Sequence, residues 1–268
     1  MAALSVCVII PAAGASQRYS AGMGVERSKL DEDLGGRPVL QRTVELFTNV
    51  PEVRSIVVAG PADDEAFAAF KLRHGDKLAI YGVKLCKGGK NHRYETVRNA
   101  LALVPSDATH VAVHDAARPC ASAELIRRVF DAAEEFPAVI PAVPVADTIK
   151  RVGPEMERSA ADPLAAILGA EGDQRPKVRG VEGTVDRSAL VAVQTPQVFE
   201  KGLLLRVYGQ KDLESTDDAQ LVERLGERVV TVPGDSSNLK ITRAGDMALV
   251  RAILGFKAAE EKPAHLRF

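Results

Sequence analysis

The feature that most constrains the fold of this chain is a regular alternation of short apolar runs with helical patterns over its first 145 residues. Each apolar run has the length of a buried strand, whereas each helical pattern repeats its apolar residues every three or four positions. The strands are predicted at 6–11, 55–59, 78–86, 110–114 and 138–145, and the helices at 39–47, 63–72, 94–103 and 123–136. Such alternation predicts an α/β fold with a mostly parallel, doubly wound, Rossmann-like sheet.

The alternation lapses after position 150. Positions 153–183 are rich in Gly, Pro and charged residues, with one helical pattern at 162–168, and a strand pattern resumes at 185–194. We interpret 145–194 as a protruding β-hairpin arm with a flexible tip at 153–183. The remaining helices are predicted at 202–208, 217–225 and 247–256, with a strand at 228–232 and a frayed tail after 257. No linker clearly separates two halves, so we expect a single domain over 1–268.

Distinctive residues follow four of the predicted strands directly. They are AAGASQR after the first strand, GGKNHR after the third, DAARP after the fourth and DT after the fifth. In parallel sheets, ligands bind beyond the carboxyl ends of the strands. The turn at Ala12, Ala13 and Gly14 has almost no side chains, so an anion can approach its backbone N–H groups, and the cations Arg18 and Lys29 follow it. This stretch predicts a site for a nucleoside triphosphate.

Composition and missing motifs exclude several other classes of protein. The net charge of -1, the absence of Trp and an aromatic content of 4% argue against nucleic-acid binding. No apolar run approaches the roughly 18 to 20 residues that span a bilayer, and the first strand begins too early for a signal peptide. The three cysteines have no ligand spacing, so we expect a cytoplasmic protein. The chain contains none of the motifs GxxxxGK[ST], GxGxxG and GxSxG, which disfavours P-loop NTPases, dinucleotide oxidoreductases and α/β-hydrolases.

A series of motifs resembles the 2-C-methyl-D-erythritol 4-phosphate cytidylyltransferase family, whose members form CDP-linked polyol phosphates. The resemblance extends from position 6 to about 255, except for the tip of the arm. The motifs occur in the order PAAGASQR, SK at Lys29, GG with RYETV at 93–97, VHDAARP at 113–119, PVADTIK at 144–150, VDR at 185–187, QTPQVF at 194–199, TDDA at 216–219 and NLKIT at 238–242. The resemblance implies that CMP is transferred from CTP to a polyol phosphate and that pyrophosphate leaves.

The resemblance also implies roles for individual residues. Arg18 and Lys29 match the catalytic pair that holds the triphosphate. The positions that match contacts to the nucleotide are Ala12, Ala13, Gly14, Gly88, Thr96 and Asp115. The positions that match contacts to the acceptor are Arg118, Thr148, Arg187, Thr195 and Lys240. The family contributes Thr148 and Arg187 from a neighbouring subunit, which implies a homodimer formed through the arm. It also implies Mg²⁺ held mainly by phosphates and water rather than by a cage of carboxylates.

Ordinary structural roles compete with several of these assignments. Gly88 and Gly89 can form a plain turn, Asp115 can cap a helix, and Thr148 and Thr195 can be strand residues. Ser16 occupies a position where the family usually has glycine, and the loop between Arg18 and Lys29 is several residues longer than in the family. Two alternatives remain for the function: a ribitol 5-phosphate cytidylyltransferase, or a non-catalytic homologue that binds nucleotide.

Overall fold

The computed structural model describes residues 4–21, 27–156 and 178–256. The strands are β1 Val6–Pro11, β2 Val53–Gly60, β3 Lys84–Lys87, β4 His110–Val113, β5 Ala138–Pro144, β6 Ile149–Met156, β7 Val178–Val185, β8 Val191–Val193, β9 Gln197–Glu200 and β10 Val230–Pro233. The helices are α1 Gln17–Ser20, α2 Val39–Glu45, α3 Asp64–Ala79, α4 Arg93–Leu101, α5 Ala123–Ala133, α6 Lys201–Tyr208, α7 Asp218–Arg224 and α8 Asp246–Ile253.

The main sheet has the strand order β10-β5-β9-β4-β1-β2-β3, and β8 pairs with β5 off this path. Parallel pairing joins β1 to β2, β1 to β4, β2 to β3 and β10 to β5. β9 runs antiparallel to both of its neighbours, β4 and β5. The sheet is therefore mostly parallel, as the sequence predicts.

Helices cover both faces of this sheet, and β1 shows why. Its side chains alternate, so that Val8 and Ile10 pack into one apolar core while Cys7 and Ile9 pack into another. A strand that is apolar on both faces needs a helical layer on each side, which is the arrangement of a doubly wound sheet. The predicted α/β fold class is confirmed, and the carboxyl ends of β1, β3 and β4 share one edge of the sheet.

The chain divides into two compact units, Met1–Val143 with Val193–Phe268, and Pro144–Ala192. Within the second unit, β6 and β7 form an antiparallel hairpin, with Ile149 paired to Val185 and Met156 paired to Val178. A hairpin in this part of the chain agrees with the interpretation of 145–194 as an arm. The single domain over 1–268 stays a prediction.

Two predicted boundaries are wrong for identifiable reasons. The strand expected at 78–86 is shorter, because α3 continues to Ala79 and β3 begins only at Lys84. Phe70, His74 and Leu78 are the buried residues of α3, and their spacing of four is helical. The strand expected at 185–194 is interrupted between β7 and β8. The helical pattern at 162–168, most of the tip at 153–183 and the tail after 257 lie outside the described residues.

Candidate active site

A cleft of about 530 Å³ lies beyond the carboxyl ends of β1 and β4 in the first unit. Eight of the thirteen predicted site residues line it: Ala12, Ala13, Gly14, Arg18, Lys29, Thr96, Asp115 and Lys240. Gly88 and Arg118 do not line the cleft but adjoin Gly89 and Ala117, which do, and Thr195 accepts a hydrogen bond from the backbone N–H of Asp115. The structure thus brings eleven of the predicted residues to one place within the first unit.

The remaining two predicted residues belong to the second unit. Thr148 directly precedes β6, and Arg187 follows β7; both side chains are exposed. A guanidinium nitrogen of Arg187 donates a hydrogen bond to the backbone carbonyl of Ala146, which joins the two sides of the hairpin base.

The turn after β1 forms one wall of the cleft. Ala12 donates its backbone N–H to the carbonyl of Ala59 at 2.7 Å, which ties the turn to β2. Ser16 has φ 55° and ψ 27°, a left-handed conformation that favours glycine. The position where the family usually has glycine therefore keeps the backbone conformation that glycine would adopt. The serine hydroxyl lies 3.4 Å from the backbone N–H of Lys29, for which it is the acceptor.

Lys29 lies in the same cleft as Arg18 despite the long loop between them. Its Nζ donates to the backbone carbonyl of Ile241 at 2.7 Å. Burial lowers the pKa of the Lys29 amine, the neighbouring cations Lys240 and Arg18 lower it further, and Asp115 opposes this shift. The ammonium group is thus held by a backbone carbonyl and faces other cations, which is an arrangement that a polyanion would stabilise.

Gly88 permits a close approach of three chain segments behind the cleft. A Cβ atom at this position would lie 2.7 Å from Cβ of Ala13, 2.7 Å from the carbonyl oxygen of Gly60 and 2.9 Å from Oγ1 of Thr96. The Thr96 hydroxyl accepts a hydrogen bond from the backbone N–H of Gly89 at 3.0 Å. A plain turn does not require these contacts, so the glycine serves to place Thr96 against the first turn.

Asp115 lies where the cations of the cleft converge. Its Oδ2 accepts from Nζ of Lys240 at 2.9 Å and from Nε of Arg118 at 3.2 Å. Burial by itself would raise the pKa of the Asp115 carboxyl, but Lys240, Arg93 and Arg118 outweigh it and hold that pKa well below its usual range. Asp115 therefore stays ionised and fixes the positions of two cations that the sequence predicts at the acceptor.

His114 connects three of these groups, and sequence reasoning did not identify it as part of the site. Its side chain is fully buried, with Nε2 3.0 Å from the carbonyl oxygen of Arg118 and Nδ1 3.1 Å from Oγ1 of Thr195. A carbonyl only accepts, so Nε2 carries the proton, and Nδ1 accepts from the Thr195 hydroxyl. That hydroxyl in turn accepts from the backbone N–H of Asp115 at 3.0 Å.

We expect the free energy of unfolding to fall by about 3 kcal/mol between pH 6.5 and pH 4 because of His114. Burial lowers the pKa of this imidazole to about 4. Between the two pH values the unfolded chain binds a proton that the folded chain does not. The contribution of neutral His114 to the free energy of unfolding is therefore present above about pH 6.5 and is lost as the pH falls toward 4. Urea unfolding of the wild type and of His114→Gln at several pH values checks this. The variant should have the flatter profile, and equal slopes would contradict the assignment.

Arg93 is a second residue close to the predicted site residues that was not itself predicted as one. It is the first residue of α4 and lines the cleft. Its Nη1 lies 2.7 Å from Oδ2 of Asp218, a carboxylate with no exposed surface, and the Tyr208 hydroxyl donates to Oδ1 of Asp218 at 2.5 Å. The motif RYETV contains Arg93, but only the folded chain brings it to the α6–α7 pair.

The charges in the cleft are strongly unbalanced. Among the described residues, those that line it include one carboxylate, Asp115, and five cations: Arg18, Lys29, Lys90, Arg93 and Lys240. Five cations around one cleft suit a ligand that carries several negative charges. The described residues contain no cluster of three or more His, Cys, Asp or Glu side chains that could hold a metal ion. No helix in the described part of the chain is long and apolar enough to cross a membrane.

Known proteins match the chain over nearly its whole length. A relative from Symbiobacterium thermophilum, named 2-C-methyl-D-erythritol 4-phosphate cytidylyltransferase, is 40% identical over 258 residues, which are 95% of this chain and 95% of the relative. A relative of the same name from Frankia casuarinae is 39% identical over 250 residues, 93% of this chain and 81% of the relative.

Solved structures agree in fold. A crystal structure of 4-diphosphocytidyl-2C-methyl-D-erythritol synthase superimposes with a TM-score of 0.68 at 32% identity, covering 94% of this chain and 98% of that one. A 2-C-methyl-D-erythritol 4-phosphate cytidylyltransferase from Thermus thermophilus gives a TM-score of 0.65 at 29% identity, with 93% and 98% covered.

The family model described as IspD, 2-C-methyl-D-erythritol 4-phosphate cytidylyltransferase, matches residues 6–162 and 167–256. This match spans most of the chain and includes every motif on which the resemblance rests. The chain therefore belongs to the 2-C-methyl-D-erythritol 4-phosphate cytidylyltransferase family.

Proposed function

We propose that the chain transfers CMP from CTP to 2-C-methyl-D-erythritol 4-phosphate and releases pyrophosphate, as a step of non-mevalonate isoprenoid biosynthesis. The observation that carries this proposal is the single cleft that contains Arg18, Lys29, Lys240 and Asp115. Family membership and the names of the relatives support the choice of acceptor.

The reaction joins two phosphates without a covalent enzyme intermediate. An oxygen of the acceptor phosphate attacks the α-phosphorus of CTP, a new P–O bond forms, and the bond to the β-phosphate oxygen breaks so that pyrophosphate leaves with its electron pair. A phosphate monoester is already ionised near neutral pH, so the attack requires no general base. The protein therefore acts by positioning the two phosphates and by neutralising charge.

Arg18 and Lys29 are assigned to the triphosphate. The ammonium of Lys29 is fixed by the carbonyl of Ile241, which orients it before substrate binds. A cation that is already oriented stabilises the charge that develops at the α-phosphorus and on the leaving pyrophosphate without reorganisation at the moment of reaction. Arg18 is exposed at the opposite end of the loop and can adapt to the β- and γ-phosphates.

The cytosine and ribose are assigned to the wall formed by the turn after β1 and by α4. Ala12, Ala13 and Gly14 present backbone and small groups to this wall, and a Cβ atom on Gly14 would meet no atom within 4 Å. Gly88 and Thr96 close its far side. We assign cytosine to the small groups of this wall, which leave room for a base beside the backbone.

The acceptor phosphate is assigned to Lys240 and Arg118, which Asp115 holds in place. Thr195 can donate to this phosphate only if it releases Nδ1 of His114, so we expect a smaller contribution from Thr195 than from Lys240. Thr148 and Arg187 are assigned to the acceptor site of a neighbouring subunit.

A divalent ion, which we propose to be Mg²⁺, fits the residues of the cleft. Mg²⁺ usually keeps several waters and binds one or two carboxylates together with substrate phosphates. Within the described parts of the chain, Asp115 is the one carboxylate that lines the cleft, so it is the residue that would contact the ion or its waters. The ion would supply further neutralisation of the phosphate charge. The cysteines are free thiols, which fits our placement of the reaction in the cytoplasm.

The test of this function is a pyrophosphate-release assay with CTP and Mg²⁺. We expect turnover with 2-C-methyl-D-erythritol 4-phosphate and little with ribitol 5-phosphate, and CTP should be preferred over UTP and ATP. Preference for ribitol 5-phosphate would identify the other cytidylyltransferase. CTP binding in calorimetry without turnover on either acceptor would identify a non-catalytic homologue.

The proposal of a homodimer with shared sites makes a separate prediction. A Thr148→Ala/Arg187→Ala variant lacks the predicted arm contacts, and Lys29→Ala lacks a triphosphate contact. If arms act across subunits, random mixing gives heterodimers in which one of two sites is complete. We therefore expect about a quarter of wild-type activity from an equal mixture of two nearly inactive variants. Absence of recovery, with subunit exchange shown by mass spectrometry, would confine the arm to its own chain.

A further inference from the structure

The segment that follows Lys29 is fastened to α3 through one carboxylate. Asp31 lies two residues after Lys29, and its Oδ1 is 2.7 Å from Nε2 of His74. Its Oδ2 is 3.1 Å from Nε of Arg73. Both carboxylate oxygens are therefore engaged by side chains of the same helix.

His74 is buried, and the burial of its polar ring has a cost in free energy. Its side chain is 2% exposed and its ring lies 4.9 Å from that of Phe70. Nδ1 is buried, and the structure gives it no hydrogen-bond partner among the described residues. A carboxylate accepts, so Nε2 is the donor to Asp31, and Nδ1 is left without a partner in the described part of the chain. An apolar side chain would avoid the cost of burying that nitrogen. The His74–Asp31 contact therefore holds a position rather than adding much stability.

Lys29 is also held from its other side, where Arg27 exchanges hydrogen bonds of 3.0 and 3.1 Å with the Ser20 hydroxyl. The backbone N–H of Lys29 lies 3.4 Å from the Ser16 hydroxyl, and its Nζ reaches 2.7 Å to the carbonyl of Ile241. The position of the Lys29 backbone decides whether Nζ reaches both that carbonyl and a substrate phosphate. Leu30 is buried in the core and its carbonyl accepts from the backbone N–H of Leu40 at 3.2 Å, and Asp31 adds the side-chain contacts that join this segment to α3.

We propose that Asp31 and His74 are positioning residues, which fasten the segment after Lys29 to α3 and thereby hold the Lys29 amine in the cleft. The part of this inference that concerns turnover rests on the proposed function. The anchor supplies the preorganisation that a long loop by itself would not give.

The experiment compares Asp31→Ala and His74→Phe with Asp64→Ala, which breaks an exposed ion pair between Lys87 and the start of α3. We expect each anchor variant to lower kcat five- to tenfold and to change the KM for CTP less than twofold, and Asp64→Ala to match the wild type. Asp31→Asn keeps an oxygen that accepts from Nε2 and should restore most of the activity. In a Lys29→Ala background, Asp31→Ala should cause no further loss of kcat.

A second measurement does not depend on turnover. Hydrogen–deuterium exchange of the backbone at 27–34 should be faster in Asp31→Ala and His74→Phe than in the wild type, and unchanged in Asp64→Ala. A wild type without turnover would overturn the proposed function, and this measurement would still decide the anchoring. Unchanged exchange, or losses of kcat that multiply with that of Lys29→Ala, would overturn the inference. His74→Phe fills the buried volume, so if Asp31→Ala does not fold, kcat and hydrogen–deuterium exchange are both measured in His74→Phe.

Discussion

Replacing Lys29 with Ala is expected to lower kcat about a hundredfold, which corresponds to about 2.7 kcal/mol of transition-state stabilisation. The ammonium is half-buried, fixed by the carbonyl of Ile241 and close enough to Arg18 and Asp115 for their charges to shift its pKa. A preoriented charge in such a site contributes most when charge develops on the transferring phosphate. Steady-state pyrophosphate release at saturating CTP and acceptor measures the loss.

Two further variants separate charge from geometry. Lys29→Arg keeps the charge but replaces a compact ammonium with a planar group, so we expect it to recover only part of kcat. Lys211→Ala removes an exposed lysine outside the cleft, and its kcat should equal that of the wild type. An unchanged kcat in Lys29→Ala would remove this residue from the chemistry. A rise in the KM for CTP alone would assign it to ground-state binding.

The sequence predicts those parts of the fold and site that depend on neighbouring residues in the chain. The apolar run before Pro11, the small residues of the next turn and the helix caps act within a few residues, and their patterns are directly visible. Asp217, for example, is the second residue of the TDDA sequence and caps α7 by accepting from the backbone N–H of Gln220 at 3.0 Å. The same locality explains why the order of strands and helices is mostly correct.

Contacts between distant parts of the chain have no such local pattern. β9 is only four residues long, and its antiparallel place between β4 and β5 depends on two strands that lie far earlier in the chain. His114 reads as the end of an apolar strand, and its link to Thr195 spans 81 positions. The link between Arg93 and Asp218 spans 125 positions. Pairings of this kind require the tertiary fold.

The loop that leads to Lys29 shows both a local pattern and contacts between distant parts of the chain. Its extra length predicts that the lysine is poorly fixed, because a longer loop has more conformations to lose. The structure counters this with contacts that are distant in sequence, to Ile241 at 2.7 Å and from Asp31 to His74 at 2.7 Å. Ser16 adds a hydroxyl where glycine would offer none. The length of a loop therefore does not by itself decide how well its functional residue is positioned.

Replacing Asp218 with Ala is expected to lower the free energy of unfolding by about 3 kcal/mol, the largest stability loss that we predict for a substitution. Asp218 has no exposed surface and accepts from Nη1 of Arg93 at 2.7 Å and from the Tyr208 hydroxyl at 2.5 Å. The substitution leaves both donors without their acceptor. Arg93 lines the cleft and can regain water, so the expected loss lies at the lower end of the range for broken buried pairs.

The matched control is Asp212→Ala, which removes an aspartate that is 71% exposed and paired with Arg224 at 3.2 Å. An exposed pair of this kind contributes at most about 1 kcal/mol. Tyr208→Phe removes one of the two donors and should cost about 1 kcal/mol. Urea unfolding at pH 7 measures all three, and CTP titration measures whether Arg93 loses its place in the cleft. Equal losses of stability in Asp218→Ala and Asp212→Ala would mean that the buried network stabilises the fold no more than a surface ion pair does. An unchanged affinity for CTP in Asp218→Ala would mean that the network does not position Arg93 for the nucleotide.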